Sequence, residues 1–290
     1  MEIAPGLRRI TANNPGPMTF TGTNSYLIGS DPVVVLDPGP EDDAHLRSLV
    51  RAIGGAKVDA IIVSHSHRDH CALVPSLKAK LQAPVIGAAA HMPARPAHPG
   101  EAAAQEASDT VYAPDRVLLA GQHITFGGTE LEVIETPGHT MNHLCYAVGG
   151  TDFLFSGDHV MAWSTTLVAP PDGAMTPYLA SLQTLLGRRE TIYLPGHGAK
   201  LNDAHHFTQA LYAHRMDREA AIMTALGVDG LTVPELVEAL YDGLDPRLRY
   251  AAGLSVLAHL ERLQALGHAS KSLAGDDRWI AASTAFESAS

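Results

Sequence analysis

The chain has 290 residues, enough to bury the core of one large domain or two. It is 46% hydrophobic and 18% charged, as in soluble globular proteins, and no apolar run approaches the ~18 residues of a membrane span. The net charge of −11, from 31 acidic and 20 basic residues, argues against nucleic-acid and anionic-membrane partners.

In chain order, the opening MEIAPGLRRI has no apolar signal region. With only Cys71 and Cys145, no disulfide framework is expected, so a reducing cytoplasm is the expected location. Residues 21–29 and 32–37 read as neighbouring strands turned at Gly29-Ser30-Asp31. Leu46, Leu49, Val50 and Ile53 predict a helix over 42–53, and VDAIIVS (58–64) a short buried strand. Leu77 and Leu81 mark a helix with Pro75 in its first turn, and 83–88 is the next strand. Strand, helix, strand, helix, strand is the order of an α/β layered domain. Residues 91–116, rich in Ala and Pro, read as a long excursion or flap.

Two hairpins follow: 123–127 with 130–136 around Gly127-Gly128, and 143–149 with 152–158 around Gly149-Gly150. Thr176-Pro177 reads as N-cap and first residue of a helix through Leu186. Residues 191–198 form a strand ending in a glycine-rich loop, and a long helix covers 203–226. Thr232-Val233-Pro234-Glu235 is a capping box opening a helix to Tyr241. Asp245-Pro246 opens another to Leu266, with short strands at 269–273 and 278–282. Helix, helix, strand, strand is winged-helix-like. The expected division is a catalytic domain over 1–226, a small domain over 227–282 and a tail over 283–290.

Four loops, each just after an apolar strand, carry the chemistry. They are His65-Ser66-His67-Arg68-Asp69-His70, Thr136-Pro137-Gly138-His139-Thr140, Phe155-Ser156-Gly157-Asp158 and Pro195-Gly196-His197-Gly198. Any one alone reads as a polar turn; together they supply five imidazoles and two carboxylates. Those donors suit Zn²⁺, with Mn²⁺ or Fe²⁺ as alternatives. A single structural zinc takes four ligands, so seven donors imply two ions with a carboxylate shared. Two such ions can hold a bridging hydroxide and stabilise an oxyanion, which points to hydrolysis.

HSHRDH resembles the H-x-H-x-D-H motif of the metallo-β-lactamase-fold superfamily. TPGHT, FSGD and PGHG resemble its later motifs, over about residues 18–200. The resemblance implies an αββα sandwich with a di-metal site at one edge. It places His65, His67 and His139 on one metal, Asp69, His70 and His197 on the other, and Asp158 between them. It also implies that Asp69 acts in catalysis by orienting the hydroxide. A closer resemblance spans nearly the whole chain and is to the β-lactamase-like protein 2 subgroup. It rests on FTGTNSYLIG, the 178–182 helix, PGHG, His214-Arg215 with Arg218-Glu219, and the winged helix. That subgroup includes a mitochondrial single-strand endoribonuclease, from which WSTTLVAPPDGAM (163–175) departs.

Among the remaining polar residues, Asp37 can orient a ligand histidine or start a turn, and His143 can support the site or pack in its strand. Trp163 with APPDGA can form a lip over the site. His159, Cys71, Asn24 and Tyr26 read as structural, and His205, His206 and His214 as solvated. Residues 228–290 carry five basic and nine acidic side chains, so the winged helix reads as a packing or homodimer-forming module rather than a duplex binder. The expected function is a di-metal hydrolase acting on an ester, thioester, lactone or phosphodiester of a small molecule. Single-strand RNA cleavage and a non-hydrolytic role, as a mono-iron sulfur dioxygenase or binding protein, stay open. β-Lactams are not the expected substrate without an export signal.

Overall fold

The runs VVVL and VDAIIV carry apolar side chains on both faces, and the fold covers both faces. In the computed structural model, which describes residues 1–98, 101, 107–227, 229–272 and 277–282, they form the middle of a seven-stranded sheet. Its strands are β1 (Glu2–Ala4), β2 (Leu7–Thr11), β3 (Asn24–Gly29), β4 (Val33–Leu36), β5 (Val58–Val63), β6 (Val85–Gly87) and β7 (Arg116–Val117), side by side in chain order. The pairs from β1 to β4 are antiparallel and those from β4 to β7 parallel. Helix α1 (Asp43–Ile53) makes the crossover from β4 to β5, and α2 (Arg68–Cys71) with α3 (Val74–Leu81) that from β5 to β6. The second sheet holds β8 (His123–Phe126), β9 (Thr129–Glu135), β10 (Leu144–Val148), β11 (Phe153–Gly157) and, across helix α4 (Met175–Leu186), the parallel β12 (Ile192–Pro195).

Alternation sorts the side chains into layers. Tyr26, Val34, Leu36 and Ile62 meet Leu131, Val133, Tyr146 and Phe155 between the sheets. Leu27, Val35, Ile61 and Val63 face the other way, onto Leu49, Ile53 and Leu77 of α1 and α3. Behind the second sheet, Cys145, Leu154 and Tyr193 pack on Leu179 and Leu182 of α4 and Leu211 of α5 (Ala204–Leu226). The result is the expected αββα sandwich.

Beyond it come α6 (Val233–Leu240), a 3-10 turn at Pro246–Leu248, α7 (Arg249–Ala265), β13 (Ala269–Lys271) and β14 (Trp279–Ala281), the winged-helix pattern. Both halves of the Thr232–Glu235 capping box form. Ile222 and Leu226 at the end of α5 are buried against Leu236, Val256, Leu260 and Trp279. Thus α5 belongs to both cores. The expected tail, 283–290, and residue 273 of an expected strand lie outside the described residues.

Three details differ from the sequence reading. Strands β1, β2 and β7 are short; β7 is exposed and β1 and β2 are mostly half-buried, so they carry little apolar signal. The helix expected to start at Pro177, capped by Thr176, starts two residues earlier, at Met175. Ala174 precedes it, held by an N–H bond to Gly138 O, and Met175 is buried in the core. Packing against the His139 loop, rather than a threonine cap, sets that start. Within the excursion, the Ala94 N–H bonds Pro171 O and Ser108 Oγ bonds Asp172, while residues 99–100 and 102–106 lie outside the described residues. No helix among the described residues is long and apolar enough to cross a membrane.

Candidate metal centre

Each chemical loop leaves the carboxyl end of a buried strand, and the ends converge at one edge of the sandwich. After β5, Ser64 leads into His65 and His67, and α2 carries Asp69 and His70. His139 follows β9, Asp158 follows β11 and His197 follows β12. The last of these loops pairs with Thr23, beside β3. Gly196 is required at this point. A Cβ there would lie 2.3 Å from Asp158 Oδ1 and 2.5 Å from His70 Cε1.

Three overlapping groups of donors result, each with its atoms within 4.8 Å: His65, His67 and His139; Asp69, His70 and His197; and His65, His70 and Asp158. In the first, His67 Nδ1 lies 3.1 Å from His65 Nε2 and 3.0 Å from His139 Nε2. In the second, His197 Nε2 lies 3.2 Å from Asp69 Oδ2 and 3.4 Å from His70 Nε2. Asp158 reaches both sides, 3.2 Å from His197 Nε2 and 3.8 Å from His139 Nε2.

The outward faces of the rings decide what the inward faces offer. His139 Nδ1 donates to Leu167 O at 2.7 Å and His197 Nδ1 to Gly22 O at 3.3 Å, and carbonyls only accept. His70 Nδ1 lies 3.0 Å from the Asp37 carboxylate. With their protons held outward, neutral rings aim bare Nε2 lone pairs inward. Lone pairs facing one another over 3.0–3.4 Å repel unless a cation or a proton lies between them. Asp158 Oδ1 is buried without a hydrogen-bond partner. This donor set fits divalent metal.

Without an ion, protons balance the carboxylates. Burial opposes charge on His70 and His197, but Asp69 and Asp158 outweigh it. They hold His70 well above the usual imidazole range and raise His197 to about 9. Burial alone would raise the two carboxyls, yet His70 and His197 hold both below the usual carboxylate range. Burial lowers His65 and His139, and it lowers His67 to about 3.

Support comes from behind. Asp37, at a left-handed φ of 51° after β4, accepts from Ser64 N and Ser64 Oγ at 2.7 Å as well as facing His70. Its carboxylate thus meets His70, while its left-handed φ turns the chain after β4. His143 stands outside the donor groups. The Asp158 amide donates to its Nε2 at 3.1 Å, and its Nδ1 meets Thr136 Oγ1 at 2.8 Å. The packed histidine, which stands just before β10 rather than in it, therefore also fixes the backbone of Asp158. Trp163 stacks on Phe20, with centroids 5.0 Å apart. Cys71 is buried with Sγ 3.9 Å from Asp109, apart from the donor groups. Asn24 and Tyr26 bond Pro195 O and brace the His197 loop.

A cavity of about 340 Å³ opens over His67, Asp69, His139, Asp158 and His197. Trp163, Met161 and Leu167 form part of its wall, and Tyr241, Leu244, Leu248 and Ala251 close it from the C-terminal module. Sequence reasoning missed that closure. His214 and Arg215 of α5, which the sequence singled out only through the family resemblance, stand in the same wall, His214 exposed as expected and Arg215 buried.

The sequence model of the Metallo-beta-lactamase superfamily matches residues 18–197. The chain belongs to this superfamily. A second model, the Beta-lactamase associated winged helix domain, matches residues 232–279 of this metallo-beta-lactamase chain. The Drosophila melanogaster Beta-lactamase-like protein 2 homolog is 28% identical and covers 96% of this chain and 97% of its own length. An Atrochrysone carboxyl ACP thioesterase of a Cryptosporiopsis species is 25% identical over 87% of this chain and 77% of its own. The crystal structure of a metallo-beta-lactamase family protein from Thermus thermophilus superposes with a TM-score of 0.78. It is 24% identical and covers 97% of this chain and 100% of that one, a likeness of fold. The protein is a metallo-beta-lactamase-fold, metal-dependent hydrolase.

Proposed function

We propose that the chain is a di-metal hydrolase, zinc being the first candidate ion, which cleaves an ester or thioester bearing an apolar acyl group. The observation that carries this reading is one cavity with metal donors on its floor and apolar side chains of the C-terminal module on its wall. His65, His67 and His139 would hold one ion, Asp69, His70 and His197 the other, with Asp158 shared. Bound divalent ions lower the pKa of water and offset charge on the attacked oxygen. Asp69 would orient the nucleophilic water; its Oδ2 accepts from Thr23 Oγ1 at 2.9 Å, and the residue lines the cavity, which supports that role. Leu244, Leu248, Ala251 and Met161 would seat the acyl chain and exclude water from it. The thioesterase among the relatives acts on an acyl carrier protein by its name, which favours thioesters over lactones and phosphodiesters. Arg215 is the one arginine or lysine in the cavity wall among the described residues, so the wall lacks the row of cations that RNA needs.

The test is a screen of purified, metal-analysed protein on acyl thioesters, aryl esters, lactones and single-stranded RNA, with and without chelator. Chelator-sensitive thioester or ester turnover supports the reading. Turnover confined to RNA, or full activity in verified metal-free protein, overturns it.

A further inference from the structure

Arg215 is a buried cation without an ion pair among the described residues. It is 3% exposed. A guanidinium keeps its charge at any ordinary pH, and burying it unpaired is costly. Glu219, one turn along the same helix, is engaged by His259 Nδ1 at 3.1 Å and by Arg262. One Arg215 nitrogen donates to Thr166 O, and the guanidinium lies 5.4 Å from the centre of the Tyr178 ring. Its Nε is buried with no hydrogen-bond partner. The group lines the same cavity as His139 and Asp158, where Asp69 and Asp158 are the lining acids among the described residues.

We propose that Arg215 is a subsite for an anionic group, a carboxylate, carried by the substrate. The proposal deepens the hydrolase reading and rests on it for the identity of the bond cleaved. The bond to Thr166 uses one of five N–H donors, leaving the orphaned Nε as an unused donor. Leu244, Leu248 and Ala251 in the same wall suit a carbon chain between the carboxylate and the scissile carbonyl. A carboxylate there would accept charge-assisted hydrogen bonds that a neutral group of the same shape cannot match.

The test measures binding, independent of turnover. Hexanoate and hexanamide are titrated against metal-loaded protein by ligand-observed NMR, using wild type, Arg215→Met and Arg215→Lys. Wild type is expected to prefer hexanoate by about tenfold or more, the usual advantage of a hydrogen bond to a charged group. Arg215→Met should bring the ratio near one, and Arg215→Lys should keep part of it. Circular dichroism and metal content check each variant; Arg215→Gln, which keeps a donor for Thr166, replaces the Met variant if that one does not fold. A residue that only braces the Thr166 segment would weaken both ligands equally and leave the ratio unchanged. Equal binding in wild type overturns the proposal. So does a preference that survives in Arg215→Met, since the ions would then be holding the carboxylate. A failed hydrolysis screen with an Arg215-dependent preference would overturn the reaction and leave the subsite standing.

Discussion

Asp158 touches both halves of the donor cluster, with oxygens 3.4 Å from His70 Nε2, 3.2 Å from His197 Nε2 and 3.8 Å from His139 Nε2. It is the carboxylate placed to lie between two dications and offset their repulsion. Asp158→Ala is therefore expected to lower occupancy at both positions, whereas His197→Ala mainly empties one and leaves His65, His67 and His139 intact. Atomic emission on folded variants checks this; two full equivalents in Asp158→Ala would show that the ligands are wrongly assigned. Asp37 acts one step back. Asp37→Asn turns an amide donor toward His70 Nδ1 or Ser64 Oγ, two groups that donate to the carboxylate now. Metal affinity should fall by about 10–100-fold, the usual cost of losing such support, measured by competition with a chelating dye. The protonation of His197 gives a pH prediction. Asp158 and Asp69 outweigh burial and raise its pKa to about 9, so below that pH the metal-free site holds a proton that an ion must displace. Metal uptake at pH 7 should release protons, seen as a heat that varies with buffer ionisation enthalpy. The release should shrink as pH rises through 9.

At the scale of elements, the sequence revealed the floor of the site and, in Trp163, part of its rim, but not the wall from the C-terminal module. HSHRDH, PGHT, SGD and PGHG were legible because each follows a buried strand, and the sandwich puts those strand ends together. Gly127-Gly128 was legible for a local reason: both residues take positive φ, 54° and 84°, in a two-residue hairpin loop. The role of α7 could not be read this way. Ala251 and Leu248 look like ordinary residues of an amphipathic helix, and only tertiary packing brings them over His139. The winged helix thus does more than the packing task its charge suggested. Ala251→Trp should narrow the cavity from this side. On a series of thioesters it should raise KM for long acyl groups by tenfold or more, with kcat on acetyl thioesters little changed. Equal kinetics across the series would remove α7 from the acyl site.

For the whole molecule, the charge of −11 and the acidic C-terminal module predict weak, salt-sensitive binding of single-stranded RNA. Fluorescence anisotropy should show any such binding disappear between about 50 and 200 mM salt. Tight binding at the upper end, with specific cleavage, would make RNA the substrate. The strands of the first sheet are neighbours in chain order, and those of the second sheet from β8 to β12 are too. A chain emerging from the ribosome can therefore add each strand to an edge already made. All seven proposed ligands have emerged by His197, whereas Leu244, Leu248 and Ala251 emerge some fifty residues later. Ion capture then precedes substrate selection during synthesis. A nascent chain halted after α5 should take up metal while showing no preference among acyl lengths. That preference should appear only when α7 has cleared the exit tunnel.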